Sequence, residues 1–113
     1  MNRDRREFPR AETGLGVWIQ EGSCPYVRAR ALELSVSGAQ VETCQPLGVG
    51  TPLTLEFELG STWRVRARGK VVWSRPVPGG SHVAGISMRI LNRADRHLLG
   101  PWVHKAARLA RAV

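Results

Sequence analysis

Hydrophobic and polar residues alternate along much of the chain, which is the pattern of strands with one buried face. The alternation is clearest in residues 53–59, 63–73 and 81–90. Shorter apolar runs at 16–20, 26–34 and 39–43 are each bounded by Gly, Pro or Ser. Such bounded runs are typical of strands joined by tight turns. The pattern therefore predicts six short antiparallel strands.

A hairpin centred on residues 60–62 accounts for the charges in its two strands. It keeps the apolar side continuous and places acidic residues opposite basic ones: Glu58 opposite Arg64 and Glu56 opposite Arg66. Arg68 and Lys70 have no acidic residue opposite them in this register. The basic row of the second strand is thus half neutralised, and we interpret it as a solvated face rather than a track for a polyanion.

A helix is predicted after the last strand, from about residue 92. Asn92 is suited to cap it and Asp95 lies in its first turn, while apolar residues follow at helical spacing up to the end of the chain. Trp102 is expected to pack on the sheet. Gly100 and Pro101 predict a break or kink, because proline removes a donor from the helix and disfavours helix at the residue before it. Strands followed by one helix indicate a small antiparallel barrel or sandwich, and 113 residues suffice for one domain.

The net charge of +8 lies mainly at the two ends of the chain. Residues 1–10 hold four arginines and two acidic residues, and residues 93–113 hold five basic residues and one acidic residue. Basic ends favour an anionic partner, which could be a nucleotide, a nucleic acid, an anionic membrane or an acidic protein face.

Catalytic and metal-binding patterns are missing from the sequence. Cys24 and Cys44 have no metal-ligand spacing and are interpreted as buried free thiols. There is no nucleophile elbow, zinc-protease motif or phosphate-binding loop, so we predict a protein that is not an enzyme, with no catalytic residue and no metal. No apolar run approaches the about 20 residues that cross a bilayer, so the expected location is the cytoplasm.

Two short motifs resemble those of the PilZ domain, a bacterial receptor for cyclic di-GMP. The first is Arg-x-x-x-Arg at Arg6 and Arg10, in a segment that Pro9 makes extended. The second is the turn Glu33-Leu34-Ser35-Val36-Ser37-Gly38, which in the family begins with Asp or Asn and here begins with Glu33. Residues 69–73 and 85–88 look like the late strands of such domains, so the resemblance covers nearly the whole chain.

The resemblance implies a mainly β fold, a six-stranded antiparallel β-barrel with a C-terminal α-helix. It divides the chain into an arginine-bearing arm, residues 1–10, and a barrel domain with its helix, residues 11–113. It also implies cyclic di-GMP as the ligand, no further cofactor, and seven ligand-binding residues: Arg5, Arg6, Arg10, Glu33, Ser35, Gly38 and Trp73. The arginines would hold phosphate and guanine, Ser35 would hydrogen-bond the ligand, and Gly38 would admit it by having no Cβ.

Alternatives remain open at this stage. The strand parity of Trp73 favours a core position over a stacking surface. If Glu33 pairs with Arg28 or Arg30, the domain could be a degenerate interaction module that binds no nucleotide. In either case a protein partner is expected in motility, secretion or surface-attachment machinery, without membrane insertion, and nucleic-acid binding ranks last.

Overall fold

A computed structural model describes the backbone of residues 11–112 and the side chains of residues 15–104. It contains seven elements in this order: β1 Ala11–Glu21, β2 Val27–Leu34, β3 Gly38–Thr43, β4 Pro52–Glu58, β5 Arg64–Pro76, β6 His82–Ile90 and α1 Arg93–Ala112. All strand pairs are antiparallel, and the strands form a closed barrel in the order β1-β2-β3-β6-β5-β4. The predicted fold, a six-stranded antiparallel barrel with a C-terminal helix, is confirmed.

The predicted register of the β4–β5 hairpin is also confirmed. Glu58 lies opposite Arg64, and Glu56 lies opposite Arg66. The carboxylate of Glu56 is 3.5 Å from Arg64 and 3.9 Å from Arg66, and that of Glu58 is 3.7 Å from Arg64. Opposite charges thus meet across the two strands as the alternation requires.

The barrel interior is filled by the apolar residues of the alternating pattern. Phe57, Leu55 and Val65 are completely buried, and so are residues from each of the other strands. Leu99 and Val103 of α1 belong to the same buried cluster, so the helix packs on the barrel core. Trp102 packs against this core while partly buried, as predicted.

The helix is fixed at its first turn by side chains that the sequence indicates. The Asp95 backbone N–H donates to Asn92 Oδ1 at 3.0 Å, which is the predicted cap. Trp63 Nε1 donates to Asp95 Oδ1 at 3.0 Å and so joins the helix to the residue that precedes β5. Of the predicted break or kink at Gly100 and Pro101, the break is absent, since one helix continues through both residues. Leu99 and Val103 are buried on either side of the proline, and this packing compensates for the missing hydrogen bond.

The described strands contain three register shifts, one of them between Glu12 and Leu15 of β1, and the other two decide which face the candidate site residues occupy. The register shifts between Ala31 and Glu33 in β2, and between Val71 and Trp73 in β5. A bulge adds one residue to its strand, so the in-out alternation reverses beyond it. Val72, the extra residue of β5, is half exposed.

Within the described part of the chain, no helix is long and apolar enough to cross a membrane.

Candidate functional site

The turn between β2 and β3 is held together by the hydroxyl of Ser35. Ser35 Oγ accepts hydrogen bonds from the backbone N–H groups of Gly38 at 3.1 Å and Ser37 at 3.3 Å, and it donates to the Gly38 carbonyl at 3.2 Å. These three bonds use the full capacity of a hydroxyl, and the residue is only 1% exposed. Ser35 therefore shapes the turn. Its predicted hydrogen bond to a ligand stays a prediction.

Gly38 begins β3 and is buried directly opposite Ser87 of β6. Ser87 in turn lies opposite Lys70 of β5. Gly38, which was expected to admit a ligand, thus begins a row that crosses three strands. The row continues through Ser87 and ends at the cation of Lys70.

Glu33 lies on the outer face of the barrel because of the β2 bulge. It is opposite Gln40, whose neighbours in β3 both point into the core. Glu33 is partly buried, and the ion pairs described for Arg28 and Arg30 go to Glu58 at 2.7 Å and to Glu42 at 3.0 Å.

Trp73 also lies on the outer face, and the prediction that it belongs to the core is wrong. Beyond the bulge at Val72, Trp73 is opposite Gly85, a residue between the inward-facing Ala84 and Ile86. A Cβ built on Gly85 would overlap Nε1 and Cε2 of the indole and lie 2.8 Å from its Cδ1. The ring therefore covers the backbone of Gly85. Arg75 holds its guanidinium carbon 5.5 Å from the ring centroid, within reach of a cation–π interaction.

These residues form one row on the outside of the barrel. Glu33 is opposite Gln40, Gln40 is opposite Gly85, and Gly85 is opposite Trp73. Neighbouring strands lie about 4.8 Å apart, so the row spans roughly 14 Å. A carboxylate and a partly exposed indole thus stand at its two ends, at a separation suited to a ligand of nucleotide size.

The arm predicted to complete the site, with Arg5, Arg6 and Arg10, lies outside the described residues. Its point of attachment is described. Ala11, to which Arg10 is bonded, lies opposite Leu34, the residue before Ser35. The chain therefore enters the barrel beside the turn of the second motif.

Sequence reasoning missed Gln40 and Gly85, which connect Glu33 to Trp73. Gly85 carried a usable signal, because glycine within a strand often marks a close approach by another group. Gln40 had none, since its place in the row depends on the register of three strands.

A mainly apolar cavity lies at the other end of the β2–β3 pair. It has a volume of about 200 Å³ and a lining that includes Ile19, Val27 and Leu47. Cys24 and Cys44 line it as well, and both are exposed free thiols, so the prediction of buried cysteines is wrong. Each lies in a connection just outside a strand, where a small apolar residue is not drawn into the core. Among the described residues, no group of three or more His, Cys, Asp or Glu could hold a metal ion.

Comparison with known proteins gives a family and two similar solved structures. A model of the PilZ domain matches residues 4–105. The inhibitor of motility MotI/DgrA from Bacillus subtilis superimposes with a TM-score of 0.79 at 18% identity. The match covers 91% of this chain and 51% of MotI/DgrA, so this chain spans about half the length of that protein. The PilZ domain of YcgR from Escherichia coli, solved with c-di-GMP, gives a TM-score of 0.67 at 20% identity over 96% of both chains. No curated protein matches the sequence significantly.

The similarity to the two solved structures concerns the fold, which both share with this chain at low identity. The match to the family model rests on the sequence itself and includes both motifs and all six strands. The chain therefore belongs to the PilZ domain family.

Proposed function

We propose that this protein is a receptor for cyclic di-GMP and that nucleotide binding changes the surface shown to a protein partner in the cytoplasm. The arm with Arg5, Arg6 and Arg10 would close over the ligand on the outer face of the barrel. A receptor of this kind carries a signal and needs no catalytic group. The solved PilZ domain of YcgR, which contains c-di-GMP, supports this choice of ligand.

The observation that carries the proposal is the pairing of Ala11 with Leu34. An arm attached there begins one residue from Ser35, so its arginines need to reach only a short distance to meet the turn. Attachment elsewhere on the barrel would have separated the two motifs. The pairing supports a single site built from both.

The chemistry of the outer row suits the ligand. Cyclic di-GMP presents two phosphates and two guanines. A carboxylate at Glu33 can accept hydrogen bonds from the guanine N1–H and N2–H groups, and guanidinium groups can bind phosphate or the guanine O6/N7 edge with two parallel hydrogen bonds. The exposed side of the Trp73 indole offers a surface on which a guanine can stack.

Ser35 and Gly38 have roles in this proposal that follow from their contacts. Ser35 holds the turn through its three hydrogen bonds. Gly38, which has no side chain, keeps the outer surface low between the turn and Ser87. The ligand would then lie against backbone at this point and against side chains at either end of the row.

Titration calorimetry with cyclic di-GMP tests the proposal. Arg6→Ala and Arg10→Ala should each weaken binding about tenfold or more, because each removes a charge-assisted hydrogen-bond pair. Arg64→Ala is the matched control, since it removes the same charge from the outer face where Glu56 and Glu58 hold it. Its affinity should stay within about twofold, an exposed pair being worth little.

Absence of binding heat in the native protein would refute the receptor and leave the nucleotide-free interaction module. Equal losses in the two arm variants and the control would mean that net charge, and not a built site, governs binding. Trp73→Ala should lower the affinity about fivefold or more through the lost stacking. An unchanged affinity would remove Trp73 from the site without affecting the role of the arm.

A further inference from the structure

Seven basic residues on the outer face of β2, β5 and β6 differ in their partners. Arg28, Arg30, Arg64 and Arg66 each lie within 4 Å of a glutamate oxygen, at 2.7, 3.0, 3.5 and 3.9 Å. Arg68, Lys70 and Arg89 make no ion pair with any described residue, and all three are exposed. We call these three residues the β5–β6 basic patch.

The β5–β6 basic patch places like charges next to one another. Arg68 lies directly opposite Arg89, an arrangement that destabilises a pair of strands. Lys70 lies two residues beyond Arg68 on the same face, opposite Ser87. On the β4 side, Arg68 faces Thr54 and Lys70 faces Pro52, neither of which carries charge. The fold therefore concentrates three cations that no described acidic residue neutralises.

The patch also has the shape of a shallow depression. The three cations line it together with Gly69, Ser87 and Met88. Gly69 faces inward, where a Cβ would meet the buried Ile86, and Met88 points into the core at 8% exposure, so neither residue puts a side chain between the cations. A small anionic group can thus approach the strands from outside while the long basic side chains surround it.

The dimensions of the patch indicate which anion fits. Arg68 and Arg89 are about 5 Å apart as opposed residues, and Lys70 lies about 7 Å from Arg68 along the strand. Carboxylates on one face of a helix repeat at a similar spacing of about 5–6 Å. A nucleic acid would need a longer row of unpaired cations. The row is not extended beyond Arg68, because the next outer residue of β5, Arg66, lies opposite Glu56 and forms an ion pair with it.

We propose that the β5–β6 basic patch is a docking site for the acidic face of a protein partner, two or three carboxylates at helical spacing. Lys70 stands in the same cross-strand row as Gly38, so the docked partner would sit beside the candidate nucleotide site. The patch shares Ser87 and Lys70 with the row that begins at Gly38, and its binding of a partner can be tested without nucleotide.

The test is an NMR titration of the full chain with an alanine-rich helical peptide that carries glutamates at i, i+4 and i+7. Backbone amide shifts should concentrate at residues 66–70 and 87–89. Binding should weaken about tenfold, equivalent to about 1.4 kcal/mol, in a variant with Arg68→Gln, Lys70→Gln and Arg89→Gln.

The matched control changes Arg30→Gln, Arg64→Gln and Arg66→Gln, which removes the same three charges from arginines that already have glutamate partners. Its affinity should stay within about threefold. Binding that depends on net charge alone would fall at least as far in the control, because the control also leaves glutamates unpaired. Equal losses in both variants would overturn the proposal.

Two further arms identify the chemistry of the occupant. The same peptide with glutamines in place of its glutamates should not bind, and binding by that peptide would overturn the proposal. A 12-nucleotide oligothymidine should bind more weakly than the acidic peptide. If the oligonucleotide binds more tightly than the peptide, and the variant with all three patch residues changed loses this binding, the occupant of the patch is a nucleic acid and the proposal is wrong.

Arg89→Glu provides an independent check on folding, because it places a carboxylate directly opposite Arg68. This variant should be at least as stable as the native protein and should lose peptide binding about tenfold or more. Retained binding in this folded variant would contradict the proposal.

Discussion

Substituting Gly85 by alanine should displace the Trp73 indole from the barrel. The added Cβ would overlap two ring atoms and stand 2.8 Å from Cδ1, whereas ordinary carbon contacts are about 3.5–4.0 Å. The ring must therefore withdraw by about 1 Å or more. Since the indole lies on the outer face, it can move into solvent, but it then loses its packing on the β6 backbone.

The magnitude follows from two opposing effects. Forcing an extra methyl group into a packed contact costs about 1–3 kcal/mol. Alanine in a strand gains roughly 0.5–1 kcal/mol over glycine, because the unfolded chain has less freedom to lose. For Gly85→Ala we expect a net loss of about 1–2 kcal/mol in the free energy of unfolding, and a weaker interaction between Trp73 and Arg75.

A double-mutant cycle measured by urea denaturation separates these effects. In a Trp73→Ala background the obstructing ring is gone, so Gly85→Ala should become neutral or slightly stabilising. The coupling energy between the two sites should therefore be about 1–2 kcal/mol. An equal loss of stability in both backgrounds would show that the glycine is required for a reason other than the tryptophan, and our account of the row would be wrong.

Three other predictions concern the turn and the outer face. Glu58→Gln should lower the unfolding free energy by about 1 kcal/mol at low salt and by less at 1 M salt. The reason is that the Glu58 carboxylate forms ion pairs with Arg28 and Arg64 and accepts a hydrogen bond from Trp18 Nε1 at 3.3 Å. A loss of stability that does not depend on salt would contradict this. Ser35→Ala should cost about 1–3 kcal/mol by leaving the buried Gly38 N–H without its acceptor, while Ser37→Ala, an exposed control on the same turn, should leave the melting temperature unchanged. Glu33→Asp restores the residue type that the family motif carries and should tighten cyclic di-GMP about twofold in calorimetry, since one torsion fewer is frozen on binding; weaker binding would mean that the site is adapted to the longer side chain.

The fold was largely predictable because local charge and apolar patterns agree with the register. Glu56 and Glu58 could be paired with Arg66 and Arg64 from the alternation and the turn at residues 60–62, and those pairs are present. The helix cap at Asn92 followed from residue type and position. A break at Pro101 does not occur, because burial of Leu99 and Val103 is a tertiary effect that outweighs local preference.

The candidate site was predictable at its turn and less so at its other end. The short motif located Glu33, Ser35 and Gly38 on one turn between two strands. Trp73 was assigned to the wrong face, because a single bulge at Val72 reverses the parity of everything after it. No feature of the residues around Val72 announces the bulge, whose position is set by the pairing with β6.

The closed barrel limits how any macromolecule can attach to this protein. Because β1 pairs with β4, each strand has a hydrogen-bonded neighbour on both sides. An isolated sheet exposes unpaired N–H and C=O groups along its edges, and partner peptides often bind by adding a strand there. Where the described strands pair on both sides, the barrel offers no such edge, and this closure protects those stretches from edge-to-edge aggregation. A partner that binds there must recognise side chains on the outer surface, so its specificity can be changed by surface substitutions without altering the backbone pairing.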